Sequence, residues 1–241
     1  MRPLTRGRYT VRLAQSAQDL AQAQALRHLA FHGVAGMDQD AFDARCQHVL
    51  VEHAQGELVA CCRLQIFADG DDLHSSYSAQ SYDLSRLARF GGPKLELGRF
   101  CLKPGIKDPA ILRLIWGALT VILDAAGVTM LFGCTSFTGA DPARHAAALA
   151  TLHSHAAPPE FAPRPRGQDS FALPTGQGDA LGLPPLLRSY LAMGAWVSDH
   201  GVIDRAMNTV HVLTALPVAQ VPQARAQALR AIGAQNRTTG D

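Results

Sequence analysis

Hydrophobic positions in the first quarter of the chain follow two different periods. Residues 9–13 alternate between apolar and polar side chains, which predicts a strand, whereas residues 17–31 repeat apolar side chains at helical spacing. Two apolar runs, at residues 48–53 and 57–67, flank the turn residues 54–56 and predict an antiparallel hairpin. The chain is therefore predicted to begin with the order β-α-β-β.

A long polar connection separates this hairpin from the middle of the chain. Residues 68–94 are rich in Asp, Ser and Gly, which predicts an irregular segment that covers another part of the molecule. The apolar run at residues 95–102 predicts a central strand. Asp108 followed by Pro109 is typical of an N-cap with a first-turn proline, and predicts a long helix that ends near Gly127.

The remainder of the chain is predicted to hold strands and helices around an irregular arm. This arm, residues 156–185, contains seven of the 14 prolines of the chain, a density that opposes regular structure. The other predicted elements are strands at 129–134, 195–197 and 209–216 and helices at 142–155, 185–193 and 221–232. We predict a single domain over residues 1–233 and a polar tail at residues 234–241.

The order of these elements predicts an α/β sandwich with a mixed sheet. Hairpins supply antiparallel pairs of strands, and the long helix joins two strands as a crossover. No glycine pattern of a dinucleotide or P-loop site follows any strand, so a nucleotide-dependent enzyme is disfavoured.

Composition and charge exclude several classes of protein. A chain with 47% hydrophobic and 17% charged residues is globular and not disordered. The 22 basic and 20 acidic residues give a net charge of +2, too even a balance for a nucleic-acid partner. Five cysteines without C-x-x-C spacing predict reduced thiols in a cytoplasmic protein. His153 and His155 are two apart on a predicted helix, a spacing unsuited to ligation, and we predict no metal site.

Two charged residues in the predicted central strand are candidates for chemistry. Glu96 and Arg99 are three apart in an apolar run, and burying either charge requires a partner. In a regular strand they face opposite sides, so Gly98 marks either a bulge that turns both toward one pocket or a close approach of backbone to ligand. The alternative is a structural ion pair.

Further candidates lie in the first half of the chain. Arg63 lies inside an otherwise apolar strand and requires a carboxylate. Arg27 and Phe31 share one face of the first helix at i, i+4, which places a charge beside an aromatic ring. The alternative is that Phe31 is a core residue and Arg27 a solvated one.

Seven further motifs follow one another along the chain. They are L-R-H-L-A-F-H near residue 30, D-Q-D-A-F-D-A-R-C-Q-H at 38–48, C-R-L-Q at 62–65, S-Y-D-L-S-R-L at 81–87, K-L-E-L-G-R-F-C-L at 94–102, G-C-T-S-F-T-G-A-D-P at 133–142 and L-P-P-L-L-R-S-Y-L-A-M-G-A-W at 183–196. Together these motifs resemble the bacterial ornithine N-acyltransferases that make lyso-ornithine lipid, and the resemblance extends to about residue 216.

The resemblance implies a GNAT-like fold, shared with the acyl-homoserine lactone synthases. In this fold a mixed, mostly antiparallel central sheet is flanked by helices in a three-layer sandwich. The resemblance also implies that an acyl thioester on acyl carrier protein is transferred to an amine. In the wider group the recurrent site is formed by the positions that match Arg27, Phe31, Asp40, Asp43, Arg63, Glu96 and Arg99.

The donor expected from the resemblance is the acyl-phosphopantetheine of the carrier protein, with no permanently bound cofactor. GNAT acetyltransferases have the turn Q/R-x-x-G-x-G/A before the long helix, whereas this chain has K-P-G-I-K-D-P. One glycine and a proline at the helix start leave fewer N–H groups for the pyrophosphate of coenzyme A. An acetyl-CoA donor is therefore disfavoured.

The expected reaction transfers a 3-hydroxyacyl group to the α-amine of ornithine, with Glu96 as the general base. Backbone N–H groups of Phe100 and Cys101 stabilise the oxyanion, with Arg99 assisting. Asp40 and Asp43 either bind a cationic amino acid or hold the arginines in an ion-pair network.

Three alternatives to this reaction remain open from the sequence. The first is the same transfer to another amino acid, such as glutamine, and the second is chemistry like that of the acyl-homoserine lactone synthases. The third is a non-catalytic module that binds acyl carrier protein. A cytoplasmic protein in peripheral contact with the inner membrane through its lipid product fits the expected reaction.

Overall fold

The computed structural model describes residues 1–68 and 70–234, so the predicted polar tail lies outside the described residues from 235 on. Contacts within the chain divide it into two compact units. The first unit consists of residues 1–65, 97–127 and the segment that starts at 223, and the second consists of residues 66–96 and 128–222. The single domain over residues 1–233 stays a prediction.

Both units contain strands and helices. The strands are β1 (Leu4–Arg6), β2 (Tyr9–Leu13), β3 (Gln47–His53), β4 (Leu58–Phe67), β5 (Tyr82–Asp83), β6 (Lys94–Leu102), β7 (Met130–Thr138), β8 (Arg164–Pro165), β9 (Ser170–Ala172), β10 (Trp196–Val197), β11 (His200–Asp204) and β12 (Thr209–Pro217). The helices are α1 (Ala17–His32), α2 (Pro109–Ala125), α3 (Ala146–Thr151), α4 (Pro185–Leu191) and α5 (Gln223–Ala234).

In the first unit the strands follow the order β1-β2-β3-β4-β6. The ladders β1–β2, β2–β3 and β3–β4 are antiparallel, so the predicted hairpin at residues 48–67 is confirmed. Strand β1 was not predicted, because three residues are too few to show a period. Helix α5 packs on α2, where a Cβ at Gly117 would lie 2.4 Å from Ile232, and glycine therefore allows the two helices to approach.

Caps define the ends of the two long helices in this unit. Helix α1 begins after Ser16, whose side chain accepts a hydrogen bond from the N–H of Asp19, and it ends at Gly33 with φ of 73°. Helix α2 begins after Asp108, whose carboxylate accepts from the N–H of Ala110. The predicted N-cap is confirmed.

The second unit contains strands in the order β6-β7-β12-β11-β9, with β10 also paired to β12. The β6–β7 ladder is parallel and joins 94–96 to 130–132, whereas the other ladders are antiparallel. The prediction of a mixed, mostly antiparallel sheet is therefore confirmed.

Two segments of this unit differ from the sequence-based prediction. The alanine-rich stretch 142–155 is not one helix, because α3 is flanked by 3-10 turns at Pro142–His145 and Leu152–His155. The second turn coincides with a hydrogen bond between the His153 ring and the carbonyl of Pro174, 2.9 Å long. In the arm 156–185, residues 170–172 form β9 and pair with β11, because the stretch 166–173 has no proline to interrupt a ladder.

Within residues 1–68 and 70–234, no helix combines the length and the apolar character needed to cross a bilayer.

A buried histidine in the second unit links the stability of the fold to pH. The side chain of His211 on β12 is 3.0 Å from the hydroxyl of Tyr82, and both residues are buried. Burial lowers the pKa of His211 to about 4. In the first unit, burial also lowers the pKa of His48. Both rings are therefore neutral in the folded protein at pH 7.

We predict that the free energy of unfolding falls as the pH is lowered from about 6.5 to about 4. In this window the unfolded chain binds a proton at residue 211 that the folded chain does not bind, so the loss reaches up to about 3 kcal/mol. Urea unfolding at several pH values measures it. The variant His211→Asn keeps a side chain that can donate to or accept from the Tyr82 hydroxyl, and it should reduce the slope. The part due to His48 remains and, toward pH 4, so does the part due to Asp40 and Asp43, whose pKa values are also lowered. An equal slope in the variant would contradict this assignment.

Candidate functional site

Three arginines and three aspartates form one ion-pair network in the first unit. The arginines come from α1, β4 and β6, and the aspartates come from the segment between α1 and β3. Arg27 and Arg63 have side chains 1% and 3% exposed, which excludes solvent as the partner of either charge. The members of this network, the arginine–aspartate ring, are Arg27, Arg63, Arg99, Asp38, Asp40 and Asp43.

Arg27 holds two of the aspartates. Its Nε is 2.7 Å from Oδ2 of Asp38, and its Nη1 and Nη2 donate to the two carboxylate oxygens of Asp43 at 2.8 and 2.9 Å. A further Arg27 N–H donates to the backbone carbonyl of Asp38. This bidentate arrangement uses the planar fork of the guanidinium.

Arg63 and Arg99 complete the ring. Arg63 Nη1 is 2.6 Å from Oδ1 of Asp40 and 2.8 Å from Oδ1 of Asp43. Arg99 Nε is 3.0 Å from Oδ2 of Asp38, and its Nη2 is 3.2 Å from Oδ2 of Asp40. Each aspartate therefore bridges two arginines, and the six charges alternate in sign and balance.

Neighbouring groups saturate the most buried carboxylate. Asp43 also accepts a hydrogen bond from Nε2 of Gln24 at 2.9 Å, and its backbone carbonyl lies 3.1 Å from Nε2 of His48. Asp40 accepts from the N–H of Phe42 at 2.9 Å, and the Arg63 guanidinium lies 5.5 Å from the centre of the Phe42 ring. A carboxylate accepts about four hydrogen bonds, so Asp43 has its acceptor sites filled.

The ring keeps Asp40 and Asp43 ionised despite burial. Burial alone would raise the pKa of Asp43, but hydrogen bonds from Arg27, Gln24 and Arg63 outweigh it and lower that pKa well below its usual value. Burial would also raise the pKa of Asp40, but its interactions with Arg63 and Arg99 outweigh burial and lower that pKa. The pKa of Arg27 is raised, because its aspartate partners outweigh the effect of burial.

Strand β6 departs from regular geometry at Arg99, which has φ of 52°. The sequence predicted the irregularity at Gly98, but the left-handed conformation falls on the next residue. Gly98 lies against the Arg63 side chain, where an added Cβ would be 3.7 Å from Nε, an ordinary contact distance. With this backbone conformation, the Arg99 side chain reaches both Asp38 and Asp40.

Three predicted substrate-binding residues are not members of the ring. Phe31 packs on the apolar cluster that includes Cys101, in agreement with the core alternative for Phe31. Cys101 Sγ is 3.6 Å from Cys61 Sγ, and this contact together with burial raises the pKa of the Cys61 thiol. Phe100 is partly buried on β6. Roles for Phe31, Phe100 and Cys101 in binding substrate stay predictions.

Glu96 lies in the second unit and is 5% exposed. Its Oε2 accepts a hydrogen bond from the N–H of Tyr77 at 3.0 Å, and its Oε1 accepts from the N–H of Ser78 at 2.7 Å. The two amides lie at the start of a 3-10 turn at Ser78–Gln80, where N–H groups have no partner inside the turn. They fix the orientation of the carboxylate.

Sequence reasoning missed two parts of this arrangement. Asp38 is a full member of the ring. The available signal in the sequence was that Asp38 lies two residues before Asp40, in the same segment as the other aspartates. The amides of Tyr77 and Ser78 carry no signal, because any residue has a backbone N–H. The part of the chain that the structure describes contains no group of three His, Cys, Asp or Glu residues suited to a metal ion.

Opening the ring should destabilise the protein far more than breaking a surface ion pair. We expect Asp43→Asn to lower the free energy of unfolding by about 3–5 kcal/mol, because Arg27 and Arg63 keep buried charges that lose a partner. Asp124→Asn breaks a bidentate pair with the exposed Arg230 and is the matched control, with little expected effect. Denaturant unfolding at pH 7 measures both, and similar losses in the two variants would refute the ring as a stabilising unit.

Comparison with known proteins gives the family. Residues 23–117 match the family model described as an acetyltransferase (GNAT) domain. The L-ornithine N(alpha)-acyltransferase of Brucella abortus is 32% identical over 245 residues, covering 89% of this chain and 86% of that protein. The L-ornithine N(alpha)-acyltransferase of Rhodobacter capsulatus is 32% identical over 229 residues, covering 85% of this chain and 88% of that protein.

A solved structure agrees with the fold. FeeM, an N-acyl amino acid synthase from uncultured soil microbes, matches with a TM-score of 0.54 and 12% identity over 90% of this chain and 98% of that one. At this identity the match bears on the fold alone, and the predicted GNAT-like fold is confirmed. The chain belongs to the L-ornithine N(alpha)-acyltransferase family and is an acyltransferase with a GNAT domain.

Proposed function

We propose that this enzyme transfers a 3-hydroxyacyl group from the phosphopantetheine thioester of acyl carrier protein to the α-amine of ornithine, forming lyso-ornithine lipid. The observation that carries the proposal is the 32% identity, over 89% of this chain, to a protein named L-ornithine N(alpha)-acyltransferase. Identity spread over the whole chain supports a shared reaction better than a short shared motif does.

The accessible edge of the arginine–aspartate ring supports an amino acid as the acceptor. Asp40 and Arg99 have side chains 22% and 11% exposed, and they are the most exposed members of the ring. They present a negative and a positive group next to each other, which complements the ammonium and carboxylate of an amino acid. Asp43 is enclosed by Arg27, Gln24 and Arg63, so its role is to hold the ring, and Asp40 is the better candidate for contact with substrate.

Glu96 supplies the base in the proposed reaction. An α-amine is protonated near pH 7 and must lose a proton before its nitrogen attacks the thioester carbonyl. Glu96 takes that proton directly or through one water, with its carboxylate oriented by the amides of Tyr77 and Ser78. The N–C bond then forms as the C–S bond breaks, and the second proton lost by the nitrogen passes to the leaving sulfur to give the free phosphopantetheine thiol.

Charge develops on the carbonyl oxygen during this attack and requires donors. The backbone N–H groups of Phe100 and Cys101 are our candidates, with Arg99 assisting. Asp38 and Asp40 hold the Arg99 guanidinium in one direction, so it needs little reorganisation during the reaction.

The turn before α2 favours a carrier protein as the donor. Residues 103–109 contain one glycine, Gly105 with φ of 87°, and Pro109 removes an N–H at the first helical position. Coenzyme A binding at such a turn depends on free N–H groups, whereas phosphopantetheine on a carrier protein carries a single phosphate and needs fewer.

Acylation of ornithine can be tested with a defined donor and a mixture of acceptors. We expect that a 3-hydroxyacyl carrier protein with all common amino acids and ornithine gives acyl-ornithine as the main product by mass spectrometry. The same acyl group on coenzyme A should react much more slowly. Preferential acylation of glutamine or another amino acid would contradict ornithine as the acceptor. Equal rates with both donors would contradict the preference for acyl carrier protein as the donor.

Replacing the proposed base tests the mechanism. Glu96→Gln should lower kcat by roughly 10²-fold or more, because the amide keeps the shape of the side chain but cannot take the proton. Glu57→Gln is the matched control, since Glu57 is half-exposed and pairs with Lys103 at the surface. Steady-state release of carrier thiol measures both variants at neutral pH. A wild-type rate in Glu96→Gln would make Glu96 a structural residue.

A further inference from the structure

The 3-10 turn that binds Glu96 is held at both ends. Its amino end donates the N–H groups of Tyr77 and Ser78 to the Glu96 carboxylate. Near its other end, the carbonyl of Ala79 accepts a hydrogen bond from Nη1 of Arg166, 2.7 Å long. A short helical turn leaves N–H groups at its start and C=O groups at its end without partners inside the turn. The Glu96 carboxylate accepts from the N–H groups, and the Arg166 guanidinium donates to the C=O group.

Arg166 is brought to this turn by the irregular arm. It directly follows β8, and β8 pairs with β5, so that Tyr82 lies opposite Pro165 and Asp83 opposite Arg164. Strand β5 begins two residues after the turn ends at Gln80. The arm therefore lies along the chain that leads out of the turn, and the Arg166 side chain extends from the end of the β5–β8 ladder to the carbonyl of Ala79.

The turn itself has little freedom between its two anchors. Ser76 and Ser78 are 1% and 0% exposed, and Ser76 Oγ accepts from the N–H of Ala79 at 3.2 Å. Ala79 is 3% exposed, so its carbonyl has little access to water if the guanidinium is removed. Loss of the Arg166 bond is therefore transmitted to the neighbouring amides, because the turn must move or hydrate to satisfy that carbonyl.

We propose that Arg166 is a positioning residue that holds the Tyr77 and Ser78 amides in place for Glu96. The irregular arm thus has a role in orienting the base, which Arg166 exerts through its hydrogen bond to the turn. This inference rests on the proposed function, in which Glu96 takes the proton of the amine.

A matched pair of variants isolates this role. Arg166→Ala removes the hydrogen bond to Ala79, and Arg166→Lys retains a cationic donor. Arg86→Ala is the control, because Arg86 donates to the carbonyl of Pro159 at 3.1 Å and so also ties the arm to the same region of the chain. This control bond does not reach the turn at residues 78–80.

Amide hydrogen exchange tests whether Arg166 holds the turn, without any assay of activity. We expect exchange in a peptide that covers residues 77–80 to rise about tenfold in Arg166→Ala, the size expected for one hydrogen bond, and to stay unchanged in Arg86→Ala. Unchanged exchange in Arg166→Ala would show that Arg166 does not hold the turn and would overturn the proposal. This result stands even if the wild-type enzyme acylates no amine, which would instead refute the proposed function.

Kinetics test the link to Glu96. Arg166→Ala should lower kcat about tenfold with little change in the KM of the amino acid, and Arg166→Lys should recover most of that loss. In the Glu96→Gln background Arg166→Ala should have no further effect on kcat, since the base it positions is gone. An equal loss in both backgrounds, or a loss as large in Arg86→Ala, would show a general structural effect and overturn the positioning role.

Discussion

A guanidinium does not give up its proton at neutral pH, so an arginine inside a protein must be paired there. This constraint governs the first unit, where Arg27 and Arg63 are almost fully enclosed. The closed arrangement of three cations and three anions meets it without leaving net charge. Because its members come from α1, β4, β6 and the segment before β3, the ring determines how these elements approach one another.

In the second unit, a buried carboxylate and buried backbone amides also require partners. A buried glutamate and the N–H groups at the start of a turn are hydrogen-bonded to each other. Buried polar groups that are fully paired keep one geometry, whereas unpaired ones would admit solvent and move. Such fixed geometry suits an enzyme in which a proton acceptor must meet one particular nitrogen.

Local sequence was sufficient to predict the hairpin β3–β4, the helices α1 and α2 and the cap at Asp108, because apolar runs, helical spacing and end residues mark them within a short stretch of chain. It failed for β9 and β11, which are held by pairing with distant residues. In the site, the sequence indicated that Arg63 requires a carboxylate, but the membership of Asp38 depends on an irregular segment that has no period. The partners of Glu96 are backbone groups, which no residue type marks.

The left-handed backbone of Arg99 places two demands on a single position. That conformation costs a residue with a side chain roughly 1–2 kcal/mol, and glycine would adopt it freely. Glycine, however, would take one cation from both Asp38 and Asp40. Asparagine tolerates the backbone but brings no charge, and lysine brings the charge without the fork. Local conformational preference and charge pairing therefore favour different residues here, which leaves the position little tolerance for drift during evolution.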